Sequence, residues 1–259
     1  MRRLIVAEPV SRLALWSRRL AIFALAISAV AIGLSRAHAT DPSAALTVFG
    51  AGVVVAALAA LIGASAGVVI WRDGLRGAGE AAFGFALAAA LMAYPVYLAA
   101  VAFALPPIAD VSTDLKSPPP FLLSAKAREA RAGAEPPPTD EATRAAQRAA
   151  YPDIETIMVE MDSSAAYELA LGVANDLGWR VVDSEPPNLA GDGSALIEAT
   201  DRTLFFGFPS DIAIRIRPGA TETAIDLRSV SRVGRHDFGA NARRLRKFIE
   251  AVKEEAPQR

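Results

Sequence analysis

Hydrophobic and polar positions divide the chain into two unlike parts. Up to residue 109 the apolar residues form three long runs; beyond it they alternate, or recur at helical spacing among charged residues. The second run, Ala44–Trp71, and the third, Ala81–Ala109, contain no charged side chain. Both are long enough to cross a bilayer with some tilt. The first, Leu20–Leu34, is about fifteen residues, short of the roughly 20 that a ~30 Å hydrocarbon core requires. Leu13–Trp16 lengthens it, with Arg18 and Arg19 snorkelling to the interface. The pattern predicts a three-helix anchor over 1–109, with helices at about 13–35, 44–71 and 81–109.

The first run also admits a second reading. Ala37, His38 and Ala39 form an A-x-A pattern like that of a signal-peptidase site. Against cleavage, the leader is long, carries Glu8, and has an amphipathic distribution of Leu4, Ile5, Leu13, Leu15 and Trp16. Gly63 and Gly67, preceded by Ala59, place small residues one turn apart and predict a close helix–helix contact, within the chain or between copies. Pro95 predicts a kink in the third helix. With no intramembrane charge, the pattern reads as an anchor and not as a pore or transporter.

Residues 110–150 read as a Pro-rich juxtamembrane segment and linker. The stretch 106–121 (PPIADVSTDLKSPPPF) should run extended, with Asp110, Thr113 and Asp114 in turn and cap roles. Residues 124–138 are Ala-, Pro- and charge-rich without periodicity, as in a flexible linker. A short helix is predicted in DEATRAAQRAA, capped by Thr139 or Asp140.

Over 151–254 the pattern is that of a small α+β domain with an antiparallel sheet, in the order β-α-β-β-β-β-α. Ile157, Val159 and Met161 alternate, then Ala166, Leu169, Ala170, Val173 and Leu177 form a helical stripe capped by Asp162 or Ser163 and stopped by Gly178. WRVVDSE and SALIEAT are strands, and DIAIRIR and ETAIDLRSVSRV form a hairpin joined at PGAT. If Arg217 stands opposite Glu222, Asp211 stands opposite Arg228, with Arg215 and Asp226 on the same face, which predicts a solvated, salt-bridged surface. Phe238, Ala242, Leu245, Ile249 and Val252 repeat at four-three spacing in a last helix from about 238 to 252, with Asp237 as its cap. Gly239 at its start implies a close backbone approach.

Charge sharpens this division. Residues 1–109 carry a balance of +4 and the remainder −5, giving the net −1. An acidic polar half argues against nucleic acid as a partner. The chain has no cysteine, which excludes disulfides, thiolate metal sites and a cysteine nucleophile. Within the anchor, Arg2, Arg3, Arg12, Arg18 and Arg19 precede or open the first run, and Arg72 and Arg76 lie between the second and third. Only Arg36 lies between the first and second. The Lys/Arg bias places the leader and the second loop in the cytoplasm and sends the C-terminal domain outside. That predicts a multi-pass membrane protein whose C-terminal domain lies outside the cytoplasm.

Candidate chemistry concentrates in SRVGRHDFGANARR (231–244), with four arginines, a histidine and an aspartate in fourteen positions. Strand end, glycine turn and capped helix account for most of it. Ser229, Ser231, Arg232, Asn241 and Arg244 remain as a polar network or the lining of a small anion pocket. Phe205, Phe206 and Phe208 cluster around a glycine as core or as a lipid- or partner-contacting loop. His236, alone in its domain, supports neither a metal site nor a Ser-His pair.

RAAYPDIETI, IEATDRTLFFGFPSDIAIRIRP and DLRSVSRVGRHDFGANARRLRKFI together resemble the bacterial domain of unknown function 1499. IADVSTDLKSPPPF is similar to the segment that precedes it in membrane-anchored members, a resemblance that covers about 110–253 and favours an uncleaved first helix. The resemblance implies no mechanism and no residue role. Two functions stay open. One is a binding module held by its helices in the lipid bilayer, engaging an envelope protein, a lipid or a small anion, without cofactor or metal. The other is an envelope enzyme using the polar cluster around Ser231, Arg232, His236 and Asp237.

Overall fold

The computed structural model describes residues 9–136, 138–188 and 191–256. Arg2, Arg3, Leu4, Ile5 and Glu8, used above, lie outside the described residues. The chain divides into two compact units, 1–101 and 102–259.

In the first unit, α1 (Arg12–Arg36), α2 (Pro42–Asp73) and α3 (Ala78–Ala104) are each long and apolar enough to cross a membrane. The side of α1 turned to its neighbours is built from alanine and serine. Ala14, Ser17, Ala21, Ala24, Ser28, Ala31 and Ser35 are buried, at the three-four spacing of a coiled-coil seam. Ala45, Gly52, Ala56, Ala59, Gly63 and Ala66 are the buried residues of α2. Small side chains let the backbones approach, and Ser17 Oγ donates to the Ala59 carbonyl across the contact at 2.9 Å. A Cβ on Gly63 would lie 2.7 Å from Ser17 Oγ and 3.2 Å from Phe85 Cβ, whereas one on Gly67 would meet nothing within 4 Å. Within the chain the two G-x-x-x-G residues differ, since Gly63 packs against Ser17 and Phe85 and Gly67 has no such neighbour. The segment before α1 is hydrogen-bonded to the α2–α3 turn, through Ser11 N to the Arg76 carbonyl at 2.8 Å and Arg76 N to the Pro9 carbonyl at 3.2 Å.

The third helix ends before the expected Ala109. Pro106 and Pro107 lack the amide that would continue it, and Ile108 is already buried in the core of the second unit.

That unit holds a six-stranded antiparallel sheet. Its strands are β1 (Asp110–Ser112), β2 (Ile157–Val159), β3 (Arg180–Glu185), β4 (Ala195–Arg202), β5 (Pro209–Pro218) and β6 (Thr223–Ser231). Their order is β1-β6-β5-β4-β3, and β2 shares the outer edge of β6 with β1. The helices α6 (Ser163–Asp176) and α7 (Ala240–Glu255) complete the expected β-α-β-β-β-β-α order. On the helix face, Ile212, Ile214, Ile216, Ile225 and Leu227 pack with Ala170 and Val173 of α6 and Leu245 and Phe248 of α7. Asp162 caps α6 by accepting from Ser164 N and Ala165 N.

The segment 110–150 departs from its expected role as a linker. It is woven into the domain. β1 pairs with β6, Val111 opposite Ser229, and two short helices follow, α4 (Ala125–Ala130) and α5 (Glu141–Ala150). The buried Gln147 of α5 acts as a surrogate strand: its Oε1 accepts from Ser112 N at 3.0 Å and its Nε2 donates to the Ser112 carbonyl at 2.6 Å. This occupies a sheet edge that would otherwise be open.

The charged face of the sheet is likewise not solvated. The hairpin loop is Gly219–Glu222, closed by Gly219 N to the Glu222 carbonyl, so the last pair is Pro218 with Thr223. The register is two residues from that expected: Arg215 stands opposite Asp226 and Asp211 opposite Val230. A shift of two preserves the faces, and the charges stay together beneath residues 113–131. Phe121 meets two guanidinium groups, with its ring centroid 5.6 Å from Arg131 Cζ and 5.4 Å from Arg228 Cζ, both within cation–π distance. Arg228 holds Asp110 through two bonds. Arg131 pairs with Glu198, both fully buried, and donates to the Leu122 carbonyl at 2.8 Å. Burial raises the Glu198 carboxyl above its ordinary range, against the pull of Arg131 and the Leu122 amide. Burial acts the same way on Asp226, but there the Thr156 hydroxyl and the Arg215 and Arg217 guanidinium groups prevail and lower it.

Two consequences are measurable. Arg131→Met leaves Glu198 buried without its counter-charge and should cost about 3–5 kcal/mol in denaturant unfolding of the full chain in micelles. Arg131→Met with Glu198→Leu should recover most of that loss. Because the folded pKa of Asp226 is depressed, its stabilisation is present above its unfolded value of about 3.9 and is lost as pH falls through the lower folded value. Unfolding midpoints taken from neutral pH downward should therefore fall less steeply for Asp226→Asn than for the parent below about pH 4.

Candidate functional site

Ser229 and Ser231 are alternate residues near the end of β6, so both face the helices, and Asn241 and Arg244 lie one turn apart on α7 above them. The four side chains meet. Ser229 Oγ donates to Asn241 Oδ1 at 2.9 Å, and Arg244 Nη1 donates to the same Oδ1 at 2.7 Å and to Ser229 Oγ at 3.1 Å. Asn241 Nδ2 donates to Ser231 Oγ and to the Ala109 carbonyl, each at 3.0 Å. Arg244 Nε donates to Asp201 Oδ2 at 2.8 Å. Asn241 thus uses both its donors and its acceptor, and it ties α7 to β6 and to the chain entering β1. Arg232 is not part of this group. It lies on the opposite face of the sheet, where it holds Asp211 through Nε at 2.9 Å and Nη2 at 2.6 Å.

The turn before α7 is built by Asp237. The helix begins at Ala240, two residues later than expected, with Gly239 before it at φ 73°. Asp237 accepts from Gly239 N and Asn241 N at 2.8 Å each, so it caps from a longer reach than the usual cap position. Burial raises its carboxyl, while those two amides act to lower it. A Cβ on Gly239 would lie 2.8 Å from Leu105 Cδ1, which is the close approach that requires glycine. Phe238 takes φ 53°, a left-handed conformation uncommon for a bulky residue. It is held by its amide donating to His236 Nδ1 at 2.9 Å and by its ring stacked on the imidazole, 4.6 Å between centroids. Ser231, Arg232, His236 and Asp237 are thereby committed to separate partners and do not form a nucleophile–base set. Among the described residues, no group of three or more His, Asp or Glu side chains could hold a metal ion.

The network lies between two clefts of about 380 Å³ each. Ser231 lines one, with Asp110, Thr139, Asp140, Gly234 and Arg235. Arg244 lines the other, where Trp179, Leu177 and Leu204 face Arg243 and Lys247. Sequence reasoning missed this second cleft, because its residues come from three separate stretches and no spacing links them. The loop 203–208 is sorted by the structure. Phe206 is buried and stacks on Phe208 at 5.1 Å, while Phe205 is partly exposed. Leu204, which the aromatic pattern overshadowed, is the most exposed of these residues at 79%. Gly207 at φ 67° closes the loop, with Phe208 N donating to Thr203 Oγ1.

An α+β domain preceded by three membrane-length helices, with a saturated polar network between strand and helix, is the class of molecule that fold and site define. A family model described as Protein of unknown function (DUF1499) matches residues 110–252, more than half of the chain, and the protein belongs to that family. The match begins at β1 and so includes the segment over the charged face. No curated protein matches the chain.

If the network works as one unit, removing its members should be non-additive. A double-mutant cycle of Asn241→Ala and Ser229→Ala, read by denaturant unfolding, should give a coupling of about 0.5–3 kcal/mol. Additive losses would mean that the two side chains act separately.

Proposed function

We propose that the protein is a multi-pass inner-membrane protein of the bacterial envelope that presents its α+β domain on the periplasmic side as a binding module. The observation that carries the orientation is the placement of basic residues. Arg12, Arg18 and Arg19 open α1, Arg72 and Arg76 lie at the α2–α3 turn, and Arg36 alone lies between α1 and α2. Hydrogen bonds between residues 9–11 and Arg76 keep the first two basic groups together. Under the positive-inside rule that end is cytoplasmic, and three spans carry the chain to the other side. Binding is preferred over catalysis because Ser231, Arg232 and Asp237 are bonded to separate partners and do not converge on His236, while Arg243 and Lys247 are exposed and form no ion pair among the described residues. The ligand is a lipid, a small anion or an envelope protein. Self-association through the membrane would use the Gly67 side of α2, since Gly63 is occupied within the chain.

The lack of cysteine allows a clean test. A single cysteine replacing exposed Lys253 should react with a membrane-impermeant maleimide added to spheroplasts, and one replacing Asp73 should react only after lysis. The reverse pattern would place the domain in the cytoplasm and overturn the orientation.

A further inference from the structure

We infer that the cleft between Trp179, Leu204 and the first turns of α7 binds the head group and proximal chain of an anionic phospholipid. The inference rests on the reading of the domain as a binding module and names its ligand class.

Three features of the cleft converge. Its charge is one-sided. Arg243, Arg244 and Lys247 line it with a single carboxylate, Asp201, and that carboxylate is taken by Arg244. Arg243 and Lys247 are one turn apart on an exposed helix face, so both reach the same anion. Arg243 Nη1 donates to the Phe238 carbonyl at 2.9 Å, which fixes the guanidinium while leaving further N–H groups for a ligand.

Beside these cations lies apolar surface. Leu177 and Trp179 line it, and Trp179 is held in place by stacking on Phe248 at 5.4 Å. Leu204, 79% exposed, forms the rim, with Phe205 next to it at 43%. An inorganic anion would use the cations and leave this surface in water. A neutral amphiphile would use the surface and leave the cations unpaired. An anionic head group on an acyl chain satisfies both, which is the pairing of basic and apolar groups found where proteins meet lipid. The same chain carries three membrane-length helices, so lipid is presented to the domain at high effective concentration and a modest site suffices.

The test uses the full chain in maltoside micelles, with Trp16→Phe and Trp71→Phe leaving Trp179 as the sole tryptophan of three. Phosphatidylglycerol with brominated chains should quench Trp179 at about tenfold lower concentration than phosphatidylcholine with the same chains. Arg243→Glu with Lys247→Glu should abolish that preference, with circular dichroism confirming the fold. Leu204→Ser, which leaves the charge unchanged, should weaken quenching by phosphatidylglycerol several-fold and provides the test should the charge reversal unfold the domain. Equal quenching by the two lipids, or a preference that survives the charge reversal, would overturn the inference. So would loss of the preference in millimolar inorganic phosphate at matched ionic strength, since that identifies a site for the free anion. Quenching in micelles does not depend on sidedness, so failure here and failure of the proposed orientation are read separately.

Discussion

A charge buried against a β-sheet must find its counter-charge nearby, and in this domain the counter-charges come from a stretch of chain with little regular structure. Glu198, Asp226, Asp211 and Arg228 stand on one face of the sheet, all largely withdrawn from solvent. Asp110, Asp114 and Arg131 reach Arg228, Arg215 and Glu198 from the preceding segment. Without that segment the face would hold unpaired charge or open to water, and β6 would lose β1 from its edge. The domain is therefore a three-layer object: helices, sheet, and a strap that is polar at its contacts and packed by Phe121 and Leu122.

Asn241 does for the helix face what Arg131 does for the other. A side-chain amide can satisfy two partners on each side, and here it joins a helix, a strand and the chain that leads into the sheet. Such a group specifies geometry more than it stabilises, because every alternative packing of α7 would leave a buried donor or acceptor without a partner. The left-handed Phe238 and the long-reach cap of Asp237 fit this view: the turn accepts an unfavourable conformation so that Asn241 can stand over Ser229 and Ser231.

Periodicity exposed β2 to β6, the two main helices and the three apolar spans, because each repeats at a fixed interval. Ser229, Ser231, Asn241 and Arg244 were legible for a related reason: polar residues at core-facing positions of a strand and a helix need one another. The strap was not legible. Proline and alanine leave no interval to read, and the long-range pairs of Arg131 with Glu198 and Arg228 with Asp110 join residues 67 and 118 positions apart. The small-residue seam of α1 was masked by the high alanine content of the whole span. Arg232 was grouped with Ser229 and Ser231 by its place in the sequence, although the alternation along β6 already puts it on the opposite face, where it meets Asp211. The cleft at Trp179 and Lys247 belongs to the folded chain alone, since nothing in the order of its residues joins them.

The pairing of β1 with β6 also sets a timetable. Ser112 Oγ donates to the Leu227 carbonyl, 115 residues further along the chain. At a synthesis rate of roughly 5–20 residues per second, the first strand waits roughly 6–23 s for its partner to emerge. During that interval Asp110 and Asp114 have no arginine to meet. Thr139, 29 residues after Asp110, and Gln147, 35 residues after Ser112, are the partners that arrive early. The growing chain thus carries an open strand whose early companions are two polar side chains, and its exposure to misassembly is governed by how quickly the last hairpin is made.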